Sequence, residues 1–327
     1  MADRLDDQGI ATVFGGSGFV GRYAVAALAK QGWRVRAAVR RPDLAGFLQP
    51  AGLVGQVAPV QANVRFAPSV QRALIGSKFV VNAVGVLTSG GRQTFRALHV
   101  EGPRAIAKAA REAGVRHLVH ISAIGANAKS SSRYARSKAE GEAAVLQEFP
   151  GAIIVRPSIV FGPEDQFFNR FAAMARISPL LPLIGRGRTR FQPLFAGDLG
   201  AAIAACASGT GKPGTIYEAG GPEVLSFREL LDLTQQWADR SRGYLPMPFW
   251  LAKLQAILTW PLPNSVRPIT LDQVRMLQHD NVVSVAAKSE GRTLAELGIA
   301  SPHGVAAIVP TYLERFRPRG QFTHYRV

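Results

Sequence analysis

The sequence predicts an α/β fold in which a doubly wound parallel sheet is accompanied by a smaller, mainly helical C-terminal lobe. Three observations support this prediction. Strand and helix patterns alternate through the first half of the chain, a glycine-rich turn joins the first strand to the first helix, and the rhythm changes after Arg156. Strands that alternate with helices favour a parallel sheet with helices on both faces.

The predicted elements follow one another in a regular order. Right-handed crossovers place the carboxyl ends of parallel strands, and therefore the ligand, at one edge of the sheet. The helical patterns include Val20–Gln31, Ala97–Ala113 and Tyr134–Glu148. The apolar, β-rich runs are Ile10–Phe14, Arg34–Val39, Val57–Gln61, Phe79–Ala83, His117–Ile121 and Ala152–Val155.

The glycine-rich turn follows the first predicted strand and opens the first helix. Glycine permits the tight turn and lets the backbone approach a pyrophosphate, which the N–H groups at the helix N-terminus then bind. The order strand, turn, helix, second strand is the context that this motif requires. Residues 10–40 therefore predict a Rossmann-type dinucleotide site. The turn residues are Gly15, Gly16, Ser17, Gly18, Phe19, Val20 and Gly21.

The end of the second predicted strand favours NADPH or NADP+ over NAD(H). Arg40 and Arg41 stand where an NAD site would carry Asp or Glu. A carboxylate would repel a 2′-phosphate, whereas a guanidinium binds it through charge-assisted hydrogen bonds. Arg40 is the first candidate and Arg41 the second, and a solvated arginine pair on a basic protein is the alternative.

Other candidate cofactor contacts come after the later strands. Asn63 and Val64 follow the third strand, where an adenine contact is expected. Small residues after the fourth strand, Ala83, Val84 and Gly85, would let the cofactor lie against the backbone. Ser122 after the fifth strand and Pro157 after the sixth are further candidates. No metal site is predicted, because the chain has one cysteine, Cys206, and so cannot form a multi-cysteine site.

Tyr134 and Lys138 are four residues apart and so lie on one helical face. A nearby ammonium lowers the pKa of a phenol, and a tyrosinate can act as a base toward a hydroxyl. The lysine can also bind the nicotinamide ribose. A surface pair that arose by chance is the alternative.

After Arg156 the sequence predicts a change of organisation. A helix is predicted at Gln166–Arg176, and sheet strands are predicted at Phe191–Phe195 and Thr215–Ala219. We expect an NADP(H)-binding domain over residues 1–160, with sheet segments that return at about 190–240. Residues 161–190 and 241–327 form the smaller lobe, with segments that face partners or membrane.

Gly15–Gly21, Tyr134 and Lys138 resemble the short-chain dehydrogenase/reductase superfamily, in its extended or atypical branch. Active members place a Ser or Thr just after the fifth strand to hold the substrate oxygen. That position falls on Ala123 or Ile124, with Ser122 one or two places early. The resemblance therefore implies cofactor binding, with Tyr134 and Lys138 as catalytic residues only if the chain is active.

Longer strings are similar to one subfamily, the nucleotide-binding accessory subunits of respiratory complex I (NADH:ubiquinone oxidoreductase). The similarity implies a tightly held NADPH with a structural role. It also implies a position near the junction of the peripheral and membrane arms, and no dehydrogenase reaction of the subunit itself. The strings are Gly15–Gly21 with Val39–Pro42, Lys129–Glu142, Ile153–Ser158, Ile159–Phe167, Gln192–Phe195 and Ile269–Val274.

Charge and hydropathy bear on partners and location. The formal net charge of +17 favours an anionic lipid, nucleic acid or an acidic protein as partner. The basic residues are dispersed and no nucleic-acid motif occurs, so no nucleic-acid partner is predicted. The N-terminus predicts neither a signal peptide nor a transit peptide, and no apolar run is long enough to span a membrane.

Tyr244–Pro263 is the most apolar stretch of the chain, with Trp250, Trp260 and a single charge at Lys253. It predicts either a buried helix of the smaller lobe or an interfacial helix on a membrane. We expect other complex I subunits and anionic lipid as partners. The expected location is peripheral, on the cytoplasmic face of a bacterial inner membrane, or on the matrix side of the inner membrane if the chain is mitochondrial.

Three functions stay open at this point. The preferred one is an accessory subunit that stabilises complex I through bound NADP(H) and is not itself catalytic. The second is an active NADP-dependent short-chain reductase or epimerase that acts on a small hydroxyl- or carbonyl-bearing substrate. The third is an NADP(H)-sensing regulatory protein.

Overall fold

The computed structural model describes residues 8–260 and 269–318, and the chain divides into two compact units. The first unit comprises residues 8–157, 196–219 and 283–301. The second comprises residues 158–195, 220–260, 269–282 and 302–318. Residues 1–7, 261–268 and 319–327, which include the end of the predicted apolar stretch and parts of both predicted domains, lie outside the described residues.

The first unit is built on a seven-stranded parallel sheet. The strands are β1 (Ile10–Phe14), β2 (Arg34–Val39), β3 (Val57–Gln61), β4 (Ser77–Asn82), β5 (His117–Ile121), β6 (Ile153–Pro157) and β11 (Ile216–Ala219). Their order in the sheet, β11-β6-β5-β4-β1-β2-β3, confirms the predicted Rossmann-type doubly wound fold. The helices of this unit are α1 (Phe19–Lys30), α2 (Ala67–Leu74), α3 (Gly102–Glu112), α4 (Arg133–Glu148), α6 (Ala196–Ala207) and the short α10 (Val285–Ser289).

Helices cover both faces of this sheet, which is why most residues of its central strands β1, β4 and β5 are buried on both sides. On one face, Phe14, Val80 and Leu118 pack in a fully or almost fully buried cluster with residues of α2, α3 and α4. On the other face, α1 and α6 approach closely. Gly200 permits this approach, because a β-carbon there would lie 2.7 Å from the carbonyl oxygen of Tyr23.

The predicted helix Ala97–Ala113 does not begin as an α-helix. Residues Arg96–Glu101 form a π-helical turn, and the α-helix α3 starts only at Gly102. The backbone of this turn lies against α4 so closely that a β-carbon at Gly141 would overlap the carbonyl oxygen of His99. π-Helical turns are rare and cluster at functional sites. This one presents His99 to the residues described below.

The second unit is built from helices and short strand pairs around an aromatic core. Phe161, Phe168, Phe191 and Phe227 are buried there together with Leu230. The strands are β7 (Val160–Phe161), β8 (Leu180–Ile184), β9 (Arg190–Phe191), β10 (Leu194–Phe195), β12 (Leu225–Ser226) and β13 (Gly243–Met247). The helices are α5 (Phe168–Ile177), α7 (Phe227–Trp237), α8 (Phe249–Leu258), α9 (Leu271–Met276) and α11 (Val305–Leu313).

The predicted return of the main sheet at Phe191–Phe195 is wrong. These residues form two separate strands, β9 paired with β12 and β10 paired with β7, and neither belongs to the seven-stranded sheet. Pro193 lies between them and has no N–H to donate to a continuous ladder. By contrast, the strand predicted at Thr215–Ala219 does join the main sheet as β11.

The predicted apolar stretch Tyr244–Pro263 begins in β13 and continues into α8. Its Ala252 and Ala256 are buried in a small cluster with Ile184, Met247 and Val274. Within residues 8–260 and 269–318, no helix has both the length and the apolar character needed to cross a bilayer.

Candidate functional site

The glycine-rich turn forms a tight cradle after β1. The amide of Gly15 donates to the carbonyl of Ala38 on β2, and the amide of Gly18 donates to the carbonyl of Gly15. Gly15 has a φ of +77°, which side chains disfavour. A β-carbon at Gly21 would overlap the Gly15 carbonyl oxygen. The turn therefore has room only for backbone, and it leaves the N-terminus of α1 open to a phosphate.

Arg40 follows the last residue of β2 directly and is exposed. It lies two residues beyond Ala38, whose carbonyl holds the amide of Gly15, so it belongs to the same edge of the sheet as the cradle. Among the described residues it has no ion-pair partner. Arg41, in contrast, pairs with Asp43 at 3.1 Å, with both side chains exposed.

Two further arginines, Arg36 and Arg22, differ in the groups that they contact. Arg36 donates to the carbonyls of Ala73 and Ile75, at 2.6 and 2.9 Å, and so ties β2 to the end of α2. Arg22 lies on the first turns of α1, with its guanidinium 4.8 Å from the centre of the Phe47 ring. Sequence reasoning did not select Arg22, although its position directly after Gly21 is the available signal.

The residues predicted after β3 and β4 line the same edge. The amide of Ala83 donates to the carbonyl of Phe14, and a β-carbon at Gly15 would lie 3.1 Å from the Ala83 carbonyl oxygen. Residues 83–85 therefore run beside the cradle. Asn63 has a local role as well, since its backbone and side chain hold the turn before α2 through Ser69 and Arg65.

Lys138 is buried at the centre of the site. Its ammonium donates to the carbonyl of Ile121 at 3.0 Å and lies 6.0 Å from the centre of the Tyr134 ring. Burial lowers the pKa of Lys138 to about 8, and the neighbouring Glu142 carboxylate acts in the opposite direction. Because an ammonium has three protons, one hydrogen bond leaves donors available for the hydroxyl groups of a ribose.

His99 connects the π-helical turn to Tyr134 and Lys138. Its Nε2 accepts from the amide of Val86, at 3.1 Å, and its Nδ1 lies 2.9 Å from the Ser137 hydroxyl. The tautomer is therefore protonated on Nδ1, which donates to Ser137. Burial, and then the charge of Lys138, lower the pKa of His99 to about 3, so the imidazole is neutral at physiological pH.

Ser122, predicted as a cofactor contact and as the substitute hydroxyl of an active enzyme, is buried and donates to the Glu142 carboxylate. The same carboxylate accepts from Nε and Nη2 of Arg156, at 2.8 and 2.6 Å. These bonds raise the pKa of the Arg156 guanidinium. The hydroxyl of Ser122 is thus committed to an internal ion pair, and the next two residues, Ala123 and Ile124, carry no hydroxyl.

The polar network of Glu142 and Arg156 extends to Glu218 and Ser284. Nη1 of Arg156 lies 3.9 Å from Glu218 on β11, and the amide of Ser284 donates to Glu218 at 2.7 Å. Pro157 ends β6, and its carbonyl accepts from the amide of Ile124. Sequence reasoning selected Ser122 and Pro157 but not Glu142, although Glu142 lies four residues after Lys138 on the helix predicted at Tyr134–Glu148.

A second buried polar pair lies at the ends of β4 and β5. The side-chain amide of Asn82 donates to Nδ1 of His120 at 3.0 Å, while its oxygen accepts from the amide of Val84. His120 must then carry its proton on Nε2. That atom is buried and has no hydrogen-bond partner among the described residues. Burial keeps the pKa of His120 well below its ordinary value.

The arrangement fits a bound dinucleotide. The cradle would hold the pyrophosphate, Arg40 a charged group beyond β2, and Lys138 the ribose hydroxyls. A dinucleotide of this kind supplies hydride transfer when bound. For such a reaction the chain offers the Tyr134 hydroxyl, whereas the Ser122 hydroxyl after β5 is bonded to Glu142 and the next two residues carry no hydroxyl.

The pKa of Lys138 leads to a prediction about stability. The folded value of about 8 lies below the ordinary value of 10.5, so the unfolded chain binds more protons between these two values. The contribution of Lys138 to stability is complete above pH 10.5, the ordinary pKa, and is lost as the pH falls through the folded pKa of about 8. Relative to Lys138→Met, the wild type should therefore gain stability as the pH rises from about 8 to 10.5.

Urea unfolding at several pH values measures the difference in stability between the wild type and Lys138→Met. Lys108→Met, at an exposed position, is the matched control. Parallel pH profiles for wild type and Lys138→Met would contradict the prediction.

Comparison with known proteins gives results consistent with this site. Residues 11–220 match the sequence model of the NAD dependent epimerase/dehydratase family. A protein of Arabidopsis thaliana, called NADH dehydrogenase (ubiquinone) 1 alpha subcomplex subunit 9, mitochondrial, is 34% identical over 286 residues, which are 84% of this chain and 71% of the relative. The protein of that name from Mus musculus is 30% identical over 319 residues, 94% of this chain and 84% of the relative.

A solved structure agrees at the level of the fold. The NADPH-dependent quinone oxidoreductase of Escherichia coli, complexed with NADPH, matches with a TM-score of 0.71 and 20% identity over 93% of this chain and 99% of that one. At this identity the likeness shows the fold alone.

Proposed function

The chain belongs to the NAD-dependent epimerase/dehydratase family and, within it, groups with the subunit-9 proteins of mitochondrial NADH dehydrogenase; from this premise we propose that it is an accessory NADP(H)-binding subunit of respiratory complex I. In this role the cofactor is NADPH or NADP+, and it stabilises the fold and is not turned over. The partners are other subunits of the complex.

One observation supports this role above the others. The glycine cradle leaves the N-terminus of α1 available to a dinucleotide, whereas the Ser122 hydroxyl after β5 donates to Glu142, which pairs with Arg156. This arrangement favours binding of a dinucleotide, while the hydroxyl that would hold a substrate oxygen is occupied. A ligand that binds only the folded state stabilises it by about 2.7 kcal/mol when it is present at about a hundredfold excess over its Kd. A cofactor can therefore serve the assembly without reacting.

Blue-native electrophoresis of detergent-solubilised membranes tests the proposal. The chain should migrate with a large NADH dehydrogenase, identified by mass spectrometry of the band and by NADH-dependent staining. Migration of all the chain as a small protein would overturn the proposed function.

Arg40 is the residue to which we assign the choice of NADPH over NADH. Arg40→Asp should weaken NADPH binding about 10- to 100-fold. The substitution removes charge-assisted hydrogen bonds worth about 1.5–3 kcal/mol and places a carboxylate beside the 2′-phosphate. NADH has no 2′-phosphate, so its binding should be much less affected. Isothermal titration with each cofactor measures the two affinities.

Arg41→Asp is the matched control for Arg40→Asp. Both residues follow β2 and both are exposed, but Arg41 pairs with Asp43. A much smaller effect on NADPH binding is expected. Equal losses in the two variants would show that net charge, and not a specific contact of Arg40, sets the affinity.

An active NADP-dependent reductase or epimerase is the second candidate, because Tyr134 and Lys138 lie together beside the cradle. In that case Tyr134 would be the acid/base and Lys138 its electrostatic helper. Turnover of NADPH with a carbonyl compound, abolished in Tyr134→Phe, would favour it. A cofactor that survives dialysis without turnover favours the accessory role, whereas reversible release at physiological concentrations favours an NADP(H)-sensing regulator.

We also assign the chain a peripheral position at a membrane, on the cytoplasmic face of a bacterial inner membrane or the matrix side of a mitochondrial one, with anionic lipid as a further partner. The net charge of +17 and the mitochondrial NADH dehydrogenase relatives support this assignment. Fractionation of intact and opened cells or mitochondria, with salt extraction of the membranes, tests it.

A further inference from the structure

One surface of the second unit is apolar and exposed over a whole helix. α8 buries Ala252 and Ala256, packs Phe249 against the same cluster, and leaves its other large apolar side chains exposed. Trp250 is 67% exposed and Leu258 71% exposed. We call this surface the α8 face; it consists of Trp250, Leu251, Leu254, Ile257, Leu258 and Trp260.

Two further exposed leucines lie on the strand pair that packs under α8. Met247 of β13 and Ile184 of β8 are paired in register and pack under α8. Leu245 lies two residues before Met247, and Leu180 four residues before Ile184, so each belongs to the same side of its strand as the residue under α8. Both are exposed. Exposed apolar side chains at this density mark an interaction surface.

Charges around this surface are mainly positive. Residues 166–197 and 240–271 together contain eight Arg and one Lys and no Asp or Glu. Of these, Arg176, Arg186 and Arg188 are exposed, and Lys253 lies on α8 itself. The acidic neighbours include Asp272 on α9, which packs against α8, and Asp232, which accepts from the Tyr244 hydroxyl of β13. An occupant of the α8 face therefore meets apolar side chains with mostly cations around them.

From these observations we infer that the α8 face is the membrane-contacting surface of the protein, and that it lies on a bilayer containing anionic lipid. The inference rests on the proposed membrane-associated role and assigns that role to particular residues. α8 would lie in the plane of the interface with its leucines toward the acyl chains. Trp250 and Trp260 would lie at headgroup depth, where tryptophan is enriched.

The chemistry favours lipid over a protein partner or a second copy of this chain. A protein interface has a polar rim of mixed composition, and a second copy would bring its own arginines against these arginines. An anionic bilayer supplies both an apolar layer and a uniform negative charge. The ten residues of α8 are enough to lie on such a surface and too few to cross it.

Flotation of the purified full-length protein with vesicles tests the inference. Vesicles of phosphatidylcholine alone are compared with vesicles that also contain phosphatidylglycerol, because attraction to the arginines requires anionic lipid. We expect binding to the mixed vesicles, weakened by high salt, with a blue shift of the tryptophan emission and its quenching by brominated acyl chains.

Two variants separate the apolar and ionic parts of the contact. Leu254→Glu combined with Ile257→Glu should reduce the vesicle partition coefficient about tenfold or more, since two apolar side chains become charged. Lys253→Glu should reduce it less. The control is Val54→Glu in the first unit, which changes a fully exposed apolar residue and should bind as the wild type does. Circular dichroism confirms that each variant is folded.

Several results would overturn the inference. Equal binding by the double variant and by Val54→Glu would show that the α8 face does not contact lipid. Absence of wild-type binding to mixed vesicles would do the same. A dimer in light scattering that the double variant abolishes would assign the face to a second copy of the chain.

The failure of this inference differs from the failure of the proposed function. A wild-type chain that migrates with NADH dehydrogenase but binds no vesicles keeps the proposed subunit role and overturns the lipid contact. A chain that binds vesicles through the α8 face but migrates alone keeps the lipid contact and overturns the subunit role.

Discussion

Gly21→Ala is expected to abolish NADPH retention and to lower the stability of the protein. A β-carbon at this position would overlap the carbonyl oxygen of Gly15, which is part of the rigid backbone of the turn. The turn must open to make room, at a cost of about 1–3 kcal/mol, and the amides that would hold the pyrophosphate then lose their alignment. Cofactor content after gel filtration and the thermal midpoint measure the two effects.

Gly46→Ala is the matched control for Gly21→Ala. Gly46 is exposed, and a β-carbon there meets no atom within 4 Å. This variant should keep both its cofactor and its thermal midpoint. If Gly21→Ala also retained NADPH at the wild-type level, the glycine cradle would not be the pyrophosphate site.

Glu142→Ala is expected to cost about 3 kcal/mol of folding free energy. The carboxylate is almost fully buried and satisfies both Ser122 and Arg156. Its removal leaves a guanidinium that is largely enclosed without its main counter-charge, and breaking a buried pair typically costs about 3–5 kcal/mol. The lower end applies because the Arg156 side chain is 21% exposed. Urea unfolding gives the value.

Asp43→Ala provides the comparison for Glu142→Ala. Asp43 also pairs with an arginine, but both side chains of that pair are well exposed, and such pairs contribute about 0–1 kcal/mol. Similar losses in the two variants would contradict a central role for the buried pair. Glu142→Ala should also lower the pKa of Lys138 further, because the carboxylate acts to raise it.

The parts of the fold that the sequence predicted are those that depend on local patterns. The first three strands of the sheet end where the apolar runs predict, and the glycine turn occurs between β1 and α1. Each of these features rests on side-chain alternation or on backbone conformations that neighbouring residues decide.

Two elements differ from the sequence prediction, the start of the helix predicted at Ala97–Ala113 and the strand predicted at Phe191–Phe195. Residues 97–101 have a helical pattern that an α-helix and a π-helical turn share, and in the structure the π-helical turn packs closely against Gly141. The run Phe191–Phe195 is apolar enough for a sheet strand, but Pro193 divides it.

Most of the site chemistry depends on residues that are distant in the sequence. His99 reaches Ser137, and Glu142 reaches both Ser122 and Arg156, only after β5, β6 and α4 are packed together. No spacing rule connects these positions. The motif positions Gly15–Gly21, Tyr134 and Lys138 were accessible because each group lies within one element or one turn.

The sequence by itself determined the sheet-and-helix order of the first unit and the position of the glycine cradle, because periodicity and turn geometry are local properties. The tertiary structure alone decided two further points. It bonded Ser122 to Glu142, the partner of Arg156, and it covered one side of α8 through Ala252 and Ala256 while leaving Trp250 and its neighbours exposed. Both depend on which distant residues are brought into contact, and the free energy of such contacts is set by packing and desolvation and not by local pattern.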